Sequence, residues 1–307
     1  MECENQTTLM NFVLLGVPYP PELHVPLFLF FVCIYLLTLL SNLLVLLAVV
    51  YEPQLHKPMY WFLCHLSVLD IATSTVVVPK LIATFWEGGG IISFAGCVNQ
   101  LFFYHFVGCA ECFLYTVMAY DRFLAICRPL HYGTIMNSKT CLWLVTGSWI
   151  GGCLHSAMET ALTFHLSYGP DNKVNYIFCD IPAVLKLACA DTSLNEMVTF
   201  VDVGIVAMTC FLLILTSYVY IVSAILRIRS AEGRQRAFST CTSHVIIVMI
   251  CYIPLSFNYL RPGAQDPLGG VVAVFYTTVI PFLNPLIYTL RNKEMKVAIL
   301  RLNRRKA

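Results

Sequence analysis

The sequence predicts an all-α membrane protein, a bundle of seven transmembrane helices, and three observations predict it. The first is composition. Of 307 residues, 58% are hydrophobic and only 12% charged, against about 25% charged in an ordinary soluble domain. So few charges cannot cover that much apolar surface in water, whereas lipid can take the place of water. The second is length. Seven apolar stretches, at roughly 24–50, 59–83, 96–126, 140–162, 197–226, 237–260 and 269–290, are each near the ~20 residues a helix needs to cross the hydrocarbon core. The third is the placing of Lys and Arg, which collect on one side of such a bundle.

The elements follow in order. The start, Met1 to Thr7, is acidic and polar and lacks the basic and apolar regions of a cleavable leader. Residues 1–307 read as one domain with an N-terminal segment over 1–23, a long connection over 163–196 and a tail over 291–307. Seven spans put the termini on opposite sides. The side of the tail holds Lys57, Arg122, Arg128, Lys139, Arg227, Arg229, Arg234 and Arg236, together with every Lys and Arg from Arg291 onward. Only Lys80, Lys173, Lys186 and Arg261 of the 19 basic residues fall on the other. The tail is therefore expected in the cytoplasm and the N-terminus outside, in the plasma membrane. Asn5-Gln6-Thr7 is a glycosylation acceptor, usable on the outer side. Cys97 at the outer start of the third span and Cys179 in the long loop can bridge in an oxidising compartment.

The same counts exclude other classes. A net charge of +2 gives no basis for nucleic-acid binding. The 14 cysteines are scattered, with no tight pair in a polar loop where zinc would sit. A transporter or channel would show inverted repeats or charged rings, and a membrane enzyme a catalytic constellation such as HExxH. Neither is visible, and Glu159 stands alone in the fourth span.

Five ordered blocks carry a resemblance. They are Leu55-His56-Lys57-Pro58-Met59-Tyr60-Trp61; Met118-Ala119-Tyr120-Asp121-Arg122 running to Cys127-Arg128-Pro129; Ser217-Tyr218; Arg236 to Cys241; and Pro281-Phe282-Leu283-Asn284-Pro285-Leu286-Ile287-Tyr288. Together they are similar to the tetrapod-type odorant receptors, a family of rhodopsin-like G-protein-coupled receptors, and they cover nearly the whole chain. The resemblance implies a rhodopsin-like bundle with a short cytoplasmic eighth helix near 292–302. It also implies a small volatile odorant as ligand and a heterotrimeric G protein of the stimulatory, olfactory type that raises cyclic AMP. No enzymatic activity is implied. A peptide or lipid receptor would more often carry a longer N-terminus or third cytoplasmic loop. The chain departs from the family near Tyr168-Gly169-Pro170, where a further loop cysteine is usual, so Cys189 reads as a free thiol. Ser41-Asn42 replaces the more familiar Gly-Asn.

By motif context Asp121 and Arg122 read as the switch. Arg122 would swing on activation toward Tyr218 and the G protein while Tyr288, beside Asn284 and Pro285, moves inward. His244 is a gate or a satisfied core histidine. Asp70 and Glu111, with Asn42, Ser67 and Asn284, resemble the family's polar core. There the two carboxyls either hold a sodium ion or form a neutral hydrogen-bonded pair. Pro254, Pro281 and Pro285 each remove a backbone hydrogen bond and kink a helix.

The ligand pocket is expected in the outer half, under the long loop. Helical spacing offers Tyr104, His105, Gly108 and Cys109 from the third span; Asp202, Val203 and Val206 from the fifth; Tyr252, Leu255, Ser256 and Tyr259 from the sixth; and Val274 and Thr277 from the seventh. Tyr104 stands where amine receptors place an aspartate, which argues against an amine receptor, and Asp202 is the expected partner for an alcohol or phenol. His105, Cys109 and Cys112 share one helix face and fit a soft metal such as copper. Buried thiols equally pack as small hydrophobes, and packing is the reading taken.

Overall fold

The structure, a computed structural model, describes residues 10–16, 18–87, 90–259 and 267–305. Continuous apolar runs set its long helices, because in lipid each backbone N–H and C=O must be satisfied within its own segment. In chain order the helices are α1 (His24–Tyr51), α2 (Pro58–Glu87), α3 (Phe94–Cys127), α4 (Pro129–Ile135), α5 (Ser138–Phe164), α6 (Ile181–Leu185), α7 (Ser193–Leu226), α8 (Ala231–Tyr259), α9 (Pro267–Val274), α10 (Ile280–Arg291) and α11 (Lys293–Arg305). A π-helical turn, Phe275–Val279, joins α9 to α10, so these three form the seventh spanning segment. The π turn ends just before Pro281, whose missing N–H and ring disturb the preceding turn.

Six of these segments are long and apolar enough to cross a membrane among the described residues. The other span, α5, matches them in length. It is less apolar because it buries Ser148, Ser156, Glu159, Thr160 and Thr163 inside the bundle. Exterior faces are apolar instead: Leu36 is 57% exposed and Ile205 61%, the arrangement lipid requires. Helix starts are capped where the sequence provides a side chain. Ser93 Oγ accepts from Gly96 N at 3.0 Å and Asn137 Oδ1 from Thr140 N at 3.0 Å, satisfying N–H groups that the first turn leaves orphaned.

The central helices α3 and α5 approach closely at Gly152. A Cβ there would lie 2.7 Å from Phe106 O and 2.9 Å from Ala110 N, both backbone atoms that cannot step aside. Gly152→Val is expected to cost at least about 1–3 kcal/mol through overpacking. Gly147→Ala, with nothing within 4 Å of its added carbon, should be neutral. Thermal unfolding of the two purified variants checks the contrast.

One end of the bundle carries a small sheet absent from the sequence reading. β1 (Asn11–Leu14) lies between β2 (Gly90–Ser93), antiparallel, and β3 (Lys173–Val174), parallel. A Cβ at Gly90 would run into the Leu14 carbonyl, so this pairing needs glycine. Four residues of strand before a long apolar helix give too short an alternation to read. The segment 163–196 is also more ordered than a bare loop, holding β3 and α6. Cys97 and Cys179 are joined by a disulfide across 82 residues of chain, with Cα atoms 5.5 Å apart. The expectation for Cys189 is corrected: it is disulfide-bonded, and its N–H donates to Ser167 O at 2.9 Å.

At the opposite end α11 folds back on the α1–α2 turn. Lys57 Nζ donates to both Glu294 oxygens at 2.8 Å, and Tyr60 adds its hydroxyl at 2.9 Å. The Lys57 hydrogen bond holds the Glu294 carboxyl below its usual range. This tie is therefore present at neutral pH and weakens only as pH falls through that depressed range. The acceptor Asn5 lies outside the described residues.

Candidate ligand cavity and switch

Between the sheet end and the middle of the bundle lies a cavity with about 110 Å³ open to the centre of a water-sized sphere. Its lining is mostly apolar and aromatic, with a few polar groups, which is the usual make-up of small-molecule sites. Of the residues expected to face a ligand, Tyr104, His105, Gly108, Cys109, Val203, Val206, Tyr252 and Leu255 line it. The regular 3.6-residue period of α3 and α7 carries these positions to one face.

Four expected residues sit elsewhere, each for a local reason. Asp202 Oδ2 lies 2.7 Å from His155 Nδ1 and turns toward α5. Ser256 is exposed on the outside of α8, one residue past the lining Leu255, where a step of about 100° turns it away. The π turn shifts the register of the seventh segment. Val274 therefore packs into the core near the sheet, and the Thr277 hydroxyl donates to Ala273 O at 2.7 Å. Tyr276 and Ile280 take their place in the lining. The Tyr259 side chain is outside the described ones.

The cavity also reaches residues read differently or not at all. Glu111 lines its floor, with Thr73 donating to Oε1 at 3.1 Å. His155 of α5 lines one side, and its neighbour Glu159 accepts from Thr199 at 2.8 Å. His105 Nε2 meets Asp180 Oδ1 at 3.1 Å, which fastens the long loop to α3. Cys112 lines the cavity beside Cys109. No group of three or more His, Cys, Asp or Glu able to hold a metal ion occurs among the described residues.

Below the cavity the polar core is assembled. Asn284 Nδ2 donates to Asp70 Oδ1 at 2.8 Å and to Tyr115 Oη at 3.2 Å. Asn42 Nδ2 donates to Thr38 O and to Pro281 O, both at 3.0 Å, bonding α1 to the kinked segment that carries Pro285. Ser67 is buried beside α2's Asp70, and the Glu111 carboxyl is close enough to act electrostatically on Asp70.

Tyr115 is the junction. Its ring lines the cavity, its hydroxyl receives Asn284 and the Cys251 thiol, and its carbonyl accepts from His244 Nε2 at 3.1 Å. A carbonyl only accepts, so Nε2 carries the proton, and His244 Nδ1 accepts the Tyr218 hydroxyl at 2.8 Å. His244 is thus a fully engaged histidine bridging α3, α7 and α8. No motif marks Tyr115, an aromatic at helical spacing in an apolar run.

Beyond it Arg122 is paired inside its own helix, Nη2 and Nε reaching Asp121 Oδ2 at 2.7 and 3.1 Å. Tyr132 of α4 donates to Asp121 Oδ1 at 2.7 Å. Burial, and then the adjoining Asp121 carboxylate, push the Tyr132 hydroxyl above its ordinary range, so it stays a donor. Tyr288 is buried and its hydroxyl meets no partner among the described residues.

Seven long helical segments, a cavity among them and a buried arginine–aspartate pair at the far end define a seven-helix bundle of the receptor type. The family model described as olfactory receptor matches residues 31–306. Human olfactory receptor 10G6 is 58% identical over 302 residues, spanning 98% of this chain and 91% of that protein. Human olfactory receptors 10G3 and 10G2 are 54% and 56% identical, over 99% and 95% of this chain and 97% and 94% of theirs. The chain belongs to the olfactory receptor family.

Proposed function

We propose that a small volatile odorant binds the cavity lined by Tyr104, Cys109, Val206 and Tyr252. Its binding activates a heterotrimeric G protein of the stimulatory, olfactory type, and cyclic AMP rises. The carrying observation is the position of Tyr115, which touches the cavity with its ring and both switch networks with its polar atoms. A guest that shifts this ring changes the Asn284 and Cys251 contacts at its hydroxyl together, the kind of shared two-state element that coupling needs. Tyr218, released from His244, and Tyr288 are then free to meet Arg122 as it leaves Asp121.

In this reading the sheet end faces outward and α11 lies in the cytoplasm. There Val297 and Leu300 are exposed along one side of α11, suited to the headgroup boundary, with Lys293, Lys296 and Arg301 for anionic lipid. Expression in a heterologous cell with a cyclic AMP reporter and an odorant panel tests the proposal. Odorant-evoked ion current or solute uptake without a G protein would replace it with the transporter reading.

A sodium ion held between Asp70 and Glu111 belongs to the same proposal, stabilising the resting arrangement. Asp70→Asn is expected to raise basal cyclic AMP and to remove its dependence on sodium. Unchanged basal signalling with unchanged sodium dependence sinks the ion's role.

A further inference from the structure

The cavity wall formed by α5 and α7 carries polar side chains that the switch does not use. His155 faces the cavity, its side chain only 10% exposed, and its Nδ1 lies 2.7 Å from Asp202 Oδ2. Asp202 in turn neighbours Glu159, one turn along α5, which takes the Thr199 hydroxyl. The cavity's other histidine is already engaged through Asp180. His155 Nε2 meets no partner among the described residues. A ring nitrogen on the cavity wall with no partner from the chain is open to a polar group of a guest.

We propose that His155 Nε2 is the anchor for a hydroxyl group on the ligand, with Asp202 as the positioning residue that sets the ring. The argument is one of tautomers. The angle at Asp202 Oδ2 is not that of a hydrogen bond, but at 2.7 Å two lone pairs would repel, so the carboxylate oxygen favours the proton on Nδ1, and in the neutral ring Nε2 is then an acceptor. The same logic orients metal-binding histidines through a carboxylate behind the ring. An acceptor in an otherwise apolar cavity selects molecules that donate: alcohols and phenols rather than ethers, ketones or hydrocarbons. Val203, Val206 and Leu255 receive the hydrocarbon body. The proposal rests on reading this cavity as the ligand site, and it corrects the sequence expectation that Asp202 itself meets the ligand.

The test uses the purified full-length receptor, with melting temperature as readout and no G protein present. The probes are benzyl alcohol and 4-methylphenol, their methyl ethers, and benzaldehyde as an acceptor-only control. Both hydroxyl probes should raise the melting temperature of the wild type at concentrations at least tenfold below those at which the ethers act. His155→Phe should abolish that preference, and His155→Gln, whose amide oxygen again accepts, should restore part of it. Asp202→Asn keeps an oxygen beside Nδ1 and should keep most of the preference, whereas Asp202→Leu should lose it. Histidine ¹⁵N shifts supply a second readout, with Nε2 of His155 unprotonated and perturbed by 4-methylphenol. Equal action of ethers and hydroxyl probes, stronger action of benzaldehyde, no effect of any hydroxyl probe, or a preference surviving in His155→Phe overturns the proposal. Cyclic AMP in cells is scored separately: hydroxyl-selective stabilisation without cyclic AMP leaves this anchor standing and removes the signalling reading.

Discussion

An Arg122→Ala receptor should bind its ligand as before yet lose at least about thirty-fold in the nucleotide exchange it catalyses on a stimulatory G protein. The guanidinium is 12% exposed and held by two hydrogen bonds to Asp121, so it is a preorganised donor fork waiting at the bundle's end. Removing one member of a desolvated charged contact at an interface costs about 2–5 kcal/mol, and 2 kcal/mol is already a factor of about thirty. The opposite change, Asp121→Asn, weakens the grip on Arg122 and should raise basal exchange. Exchange on purified G protein, with ligand binding measured in parallel, separates a signalling defect from a folding one. If Arg122→Ala exchanges nucleotide at the wild-type rate, Arg122 is not the coupling residue.

Cys179→Ser should remove most of the receptor from the cell surface. The disulfide closes 82 residues of chain, which by loop-closure entropy contributes about 4–5 kcal/mol, against a typical net stability of only about 5–15 kcal/mol. It also fixes Cys179 beside Gln100, whose Oε1 accepts the Cys179 N–H at 2.9 Å, and so holds the loop that carries Asp180 over His105. Cys33→Ser, at an exposed unpaired cysteine, is the control expected to change nothing. Surface immunolabelling together with thermal unfolding in detergent reads both. Wild-type surface levels and melting temperature for Cys179→Ser would show that the loop holds without the bridge.

Hydropathy reads most of the spans, since a helix in lipid must satisfy its own backbone and cannot hide an apolar run. α5 is the least marked of them, because that helix spends its polar side chains on α3 and α7 rather than on water. This is also why His155 went unread: it looks like one polar residue in a weakly apolar run until Asp202 is found across from it. Spacing placed the linings from α3 and α7 because those helices are regular. It misplaced Val274 and Thr277 because the π turn before Pro281 changes the angular step, and no periodic count registers such a change. The Asp121–Arg122 pair and the run from Asn284 to Tyr288 were legible from motif resemblance, but Tyr115, which lines the cavity and bonds Asn284 and His244, carries no motif.

The π turn at Phe275–Val279 has a mechanical meaning. It lodges one more residue in a turn than an α-helix does, and each α-helical residue advances the chain by about 100°. Tightening that turn would wheel Tyr276 against Asn284 and Tyr288 by a whole notch rather than a small tilt. On the proposed reading the seventh segment would step like a ratchet, with Tyr276 of the cavity lining on one side of the pawl and Tyr288 on the other.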